Sequence, residues 1–146
     1  MKLRGGPNRA VRKHRRRAAA IFATRTPAQS LLMVVSDEPD YGAGYESAEN
    51  GSRDAGLRRP DQRRHYGLGI VAELVNAGYV VLGEQTADGF VPWDTSAGES
   101  LVRLERVWRE RGDSWWEPEG WMLATEAGLA EADRILATED WSWAKK

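Results

Sequence analysis

Residues 96–112, SAGESLVRLERVWRERG, run into DSWWEPEGWML at 113–123 and ATEAGL at 124–129. Ser96 with Glu99 three residues later is a capping box, so the sequence predicts a helix that starts there and stops at Gly112. At 100° per residue Leu101, Leu104, Val107 and Trp108 share one side, while Arg103, Arg106 and Arg109 lie in an arc opposite them. Residues 113–123 read as two short strands around a Pro118-Glu119-Gly120 turn. Thr125 then caps a last helix carrying Leu129, Ala132 and Leu136.

That order of helix, glycine stop, hairpin and Thr125-Glu126-Ala127-Gly128 step resembles the second half of a winged-helix domain of the MarR or PadR type. The resemblance spans about 40 residues. It implies that residues 100–112 (SLVRLERVWRERG) are a recognition helix, residues 113–123 a wing, and residues 123–128 (LATEAG) the exit into another helix. Two features depart from the family: the exit carries an extra Ala124, and no clear second helix precedes Ser96. On this resemblance Arg103, Arg106 and Arg109 would face the major groove, where arginine pairs with guanine edges or phosphates. Local charge opposes DNA reading, because residues 95–146 hold seven basic and eleven acidic side chains. The wing itself carries Asp113, Glu117 and Glu119 and no base.

Upstream, Pro60 suits a first helical position, and Leu68, Val71, Ala72 and Val75 recur at helical spacing with Ile70 and Leu74 beside them. Gly78 closes that helix. Tyr79 to Leu82 reads as a strand, and Asp88-Gly89 turns it into Phe90-Val91-Pro92-Trp93. The body, residues 60–146, is therefore expected to be an α+β, winged-helix-like domain with at least two hairpins and three helices.

Before it, residues 41–59 (YGAGYESAENGSRDAGLRR) are rich in Gly, Ser, Asn and charge, so 37–59 reads as a flexible linker. Residues 1–36 hold nine basic residues and no acid, leaving −10 for residues 37–146. This basic arm reads as disordered or weakly structured, with Ser30 to Val35 short enough for a strand. Its Arg12, Lys13, Arg15, Arg16 and Arg17 are candidate contacts to nucleic acid or an anionic membrane surface, since clustered cations release counterions from phosphates. A solvated tail, or translated sequence ahead of a start at Met33, accounts for the same composition. The apolar run after Arg17 is cut by Arg25 and Pro27, too short for a secretory signal, and no stretch approaches a membrane span. A cytoplasmic location is expected.

The whole chain of 146 residues has 21 basic and 22 acidic side chains, seven Trp and no Cys. Lacking cysteine, it has no disulfide scaffold, cysteine-ligated zinc or cysteine nucleophile. With only His14 and His65, no multi-histidine metal site forms within one chain, and no metal, cofactor or catalytic set is expected. Gly67-Leu68-Gly69-Ile70-Val71-Ala72 matches a dinucleotide-loop string, but Arg63-Arg64-His65-Tyr66 before it is no buried strand. All seven Trp lie between residues 93 and 143. Trp115, Trp116 and Trp121 crowd one expected hairpin, and strand alternation puts Trp115 and Trp116 on opposite faces, so most tryptophans are expected in the core and one or two at a protein partner.

Arginine outnumbers lysine, as in high-GC coding sequence. In length, composition, basic arm and Trp-rich body the chain is similar to short accessory products of high-GC bacterial mobile elements, including plasmid spread proteins that assist conjugative transfer. This likeness of type and size implies a non-enzymatic accessory protein acting through protein contacts, with weak DNA contact through the arm and homo-oligomers compatible. The alternative is a winged-helix transcription regulator, with a small enzyme third.

Overall fold

The computed structural model describes residues 9–37, 51–53, 55–111 and 119–145. Among the described residues the helices with defined bounds are α1 (Arg9–Thr24), α2 (Pro27–Asp37), α3 (Pro60–Asn76), α4 (Ala97–Arg111) and α5 (Glu126–Ala137). Three strands, β1 (Val80–Thr86), β2 (Gly89–Pro92) and β3 (Glu119–Ala124), form an antiparallel sheet in the order β2-β1-β3. The α+β class expected from the sequence is the class observed.

Residues 9–36 of the arm, expected to be disordered or weakly structured, are largely helical. Ala18 to Ala20 and the arginines are strong helix formers, and α1 follows from them. Ser30 to Val35 is helix, not strand, because a capping box at Thr26 starts α2. Gln29 N–H donates to Thr26 Oγ1 at 3.1 Å, and Thr26 N–H donates to Gln29 Oε1 at 2.9 Å. Pro27 takes the first helical position, where its missing N–H costs nothing. Ala28, Leu31, Leu32 and Val35 then point into the core. The chain bends by 116° between α1 and α2, and no single described helix is long and apolar enough to cross a membrane.

The linker reading is corrected in part. Residues 38–50 and 54 lie outside the described residues, but 51–53 are helical, Ser52 is buried, and its carbonyl accepts Leu57 N–H at 3.1 Å. The packed domain therefore takes in α2 and residues 51–53 and 55–57, ahead of the boundary expected at residue 60.

α3 begins at Pro60 as anticipated and ends in a Schellman turn. Gly78 at φ 78° lets Tyr79 N–H reach Leu74 O and Gly78 N–H reach Val75 O, both at 3.0 Å. The G-x-G-x-x-A string lies inside α3, with no strand-to-helix loop to cradle a phosphate. A two-residue turn at Ala87 and Asp88 joins β1 to β2, closed by Thr86 Oγ1, which accepts from Asp88 N–H and donates to Gly89 O.

The expected Pro118-Glu119-Gly120 hairpin turn is corrected for its described residues. Glu119 and Gly120 belong to β3, whose partner is β1: Leu82 faces Met122, Gly83 faces Trp121, and Glu84 faces Glu119. Gly120, at φ 87°, is the extra residue of a bulge at that point. Residues 112–118, the rest of the expected wing, lie outside the described residues.

One core joins the elements. Leu31, Leu32 and Val35 of α2 meet Ile70, Val71 and Leu74 of α3, Val80 and Leu82 of β1, Met122 of β3, Leu104 and Trp108 of α4, and Ile135 of α5. In α5 the buried side is Gly128, Ala132 and Ile135, while Leu129 and Leu136 are 44% and 42% exposed. The close seating of Gly128 on the Tyr79 carbonyl sets this rotation.

Candidate nucleic-acid interface

The five cations singled out in the arm all lie on α1, where helical geometry sorts them. His14, Ala18 and Ile21 are half-buried and four then three residues apart, which puts them on one stripe. Against that stripe packs the short 3-10 turn Ser142–Lys145 with Trp141 before it. The His14 ring lies 5.1 Å from that of Trp143, and Phe22 lies 5.7 Å from Trp141. Arg17 leans over the Trp143 ring at 5.8 Å.

An ion pair locks the same junction. Arg25 Nε and Nη2 donate to the two carboxylate oxygens of Glu139 at 2.8 and 2.7 Å, with side chains only 9% and 7% exposed. Trp141 Nε1–H donates to Glu139 at 3.0 Å. The hydrogen bonds from Arg25 hold the Glu139 carboxyl below its usual range, with Trp141 helping and burial opposing. A carboxyl depressed in the folded state stabilises the fold above its ordinary value of 4.5, and that contribution is lost as pH falls through the folded value. Glu139→Gln should therefore flatten the acid side of a stability-against-pH curve measured by thermal unfolding. The pair lies under a thin cover of rings near solvent, so the expected loss at neutral pH is about 1 kcal/mol.

With that stripe occupied, Arg9, Arg12, Lys13 and Arg16 fall within an arc of about 100° on the opposite, solvent side of α1, with Arg15 beside it. All five are exposed, and none has an ion-pair partner among the described residues. Between Arg9 and Arg16 the helix rises about 10 Å. The result is a helical face of one charge sign, backed on its other side by the rings of Trp141 and Trp143.

The second set, on α4, is not brought together as expected. Arg103 is half-buried at the sheet edge, its guanidinium 4.2 Å from the Trp93 ring centroid and 3.4 and 3.8 Å from the carboxylates of Glu84 and Glu119. Those two acids face each other across β1 and β3, and like charges at such a position repel. Arg103 therefore neutralises a repulsive cross-strand pair and is unavailable to a groove. Arg111 also reaches Glu119, at 3.6 Å. Arg109 pairs with Glu105 one turn earlier at 3.5 Å, and Arg106 is exposed.

Of the tryptophans expected at a partner surface, Trp121 is half-buried on β3, and Trp115 and Trp116 lie outside the described residues. Trp93 and Trp108 are core. Sequence reasoning missed the contact between α1 and the residue 141–143 segment. Its signal was the pairing of a helical stripe with Trp141 and Trp143, which are 120 or more residues away along the chain. Compared with known proteins, the chain matches no family model, no curated protein and no solved structure.

Proposed function

We propose that this chain is a non-enzymatic accessory protein of the kind made by high-GC bacterial mobile elements, including plasmid spread proteins. On this reading it works by contacts, and α1 lies along the phosphate backbone of DNA. One observation carries it: the solvent face of α1 holds Arg9, Arg12, Lys13, Arg15 and Arg16 with no acid anywhere in the helix, and its other side meets Trp143. Phosphate contact of this type needs fixed cations and no base-reading groups. A bilayer is the poorer fit, because interfacial helices bury an apolar stripe in lipid and here that stripe is packed against Trp143.

The test is a gel-shift salt series on duplex DNA. Five neutralised phosphates give a slope of about −4.5 in log affinity against log salt, and Arg12→Ala with Arg16→Ala should reduce its magnitude by about 2. Weak binding independent of sequence is expected. A slope unchanged by that double variant would remove α1 from the interface.

The exposure of Arg106 and Arg109 supports the rival reading, a sequence-specific regulator using α4. Under that reading one fragment is retained at physiological salt and released by Arg106→Ala with Arg109→Ala. Arg103 is unsuitable for this test because its loss weakens the sheet edge.

A further inference from the structure

α4 turns Leu104, Val107 and Trp108 inward, and its outward side is unusual for a surface helix. Val102 lies in the middle of that side with 71% of its surface exposed. It borders a shallow apolar groove between α3 and α4, lined by Leu68, Gly69, Ala72, Leu101 and Val102, with Glu105 at the edge. Gly98, one turn before Val102, and Gly69 in the groove both face open space, where an added methyl group would touch nothing within 4 Å. Another backbone can therefore approach closely.

The charges around Val102 say which backbone. Glu99 lies three residues before it and Arg106 four after, both exposed, and neither has an ion-pair partner among the described residues. They are seven residues apart, about 10 Å along the same outward side. An acid, an apolar centre and a base in that order form a pattern that is its own complement when reversed. An antiparallel copy of α4 sets Val102 beside Val102, Glu99 opposite Arg106 and Arg106 opposite Glu99. A two-fold axis generates both ion pairs at once and opposes the two helix dipoles.

We infer that the outward face of α4 is a self-association surface, and that its partner is a second copy of this chain joined antiparallel through Glu99, Val102 and Arg106. The inference goes beyond DNA contact and is independent of it, since no residue of α1 takes part. The contact is small against the ~800 Å² per partner of a standard interface, so the dimer is weak and concentration-dependent.

Sedimentation equilibrium of the full chain from about 10 μM to about 1 mM tests this, with circular dichroism confirming that each variant is folded. The wild type should show a monomer–dimer equilibrium. Glu99→Arg and Arg106→Glu, each of which turns two attractive pairs into two repulsive ones, should each weaken it about 10-fold or more. Val102→Ser should weaken it as well while leaving thermal stability unchanged. The double variant Glu99→Arg/Arg106→Glu restores both pairs and should dimerise within about threefold of wild type. Mixing the two single variants should yield a heterodimer, since every facing pair is then opposite in sign. A wild type that stays monomeric over the whole range overturns the inference. So does a double variant as defective as the single ones, or a dimer indifferent to all of these changes.

Discussion

A chain begun at Met33 will fail to reach this fold. Such a chain loses the capping box at Thr26 and with it Ala28, Leu31 and Leu32, three buried residues that join α2 to α3, β3 and α5. Burying a leucine is worth about 1.5–3 kcal/mol, and the cavity left behind adds to the loss. The two leucines alone therefore approach the ~5–15 kcal/mol that separates a folded domain from its unfolded chain. Far-UV and near-UV circular dichroism across a urea titration should show no cooperative transition. The full-length variant Leu31→Ala/Leu32→Ala isolates the packing from the cap and should lose about 5 kcal/mol. A truncated chain that unfolds cooperatively at the wild-type urea midpoint would show that α2 is dispensable.

The second large effect is expected from a single methyl group. Gly128 lies in the first turn of α5 against the carbonyl of Tyr79, and a Cβ there would overlap that oxygen. The carbonyl is held in place: Thr125 N–H donates to Tyr79 O at 2.9 Å, and Thr125 Oγ1 donates to Gly78 O at 2.6 Å. Thr125 Oγ1 also accepts Gly128 N–H at 3.0 Å as the helix cap. Neither side can retreat without breaking these bonds, so Gly128→Ala should cost about 3 kcal/mol and lower the melting temperature by roughly 10 °C. Gly69→Ala is the control. It is an exposed helical glycine with open space around it, and it should gain about 0.5–1 kcal/mol instead. Equal melting temperatures for the two variants would contradict the described seating of α5.

These two positions show what the sequence made legible. Thr125-Glu126-Ala127-Gly128 was readable as a cap because Thr at N-cap is a local signal, and the structure gives its glycine a separate task in tertiary contact. Pro60, Gly78 and Ser96 were readable for the same reason, each acting on bonds within its own turn. The rest depended on partners far along the chain. The Thr26-Pro27-Ala28-Gln29 capping box was present in the sequence, but the short apolar run after it suits a strand as well as a buried helix. Gly120 is a turn residue by type that serves as a bulge where β3 pairs with the distant β1. The role of Arg103 was hidden because an outward position on a helical wheel does not show that Glu84 and Glu119 meet there across two strands. Likewise the basic arm was visible as charge, and its division into a docked and a free side was not.

The junction of α1 with Trp141 and Trp143 also orders events in time. Arg25 and Glu139 are 114 positions apart, and translation at ~5 to 20 residues per second separates their synthesis by roughly 6 to 23 s. During that interval α1 is made but lacks its aromatic support, and tertiary packing supplies most of a helix's stability in a protein. Closing so long a loop is the slow kind of contact in folding. The cationic face therefore gains its backing only after residues 139–143 have been made, although α1 is made well before them.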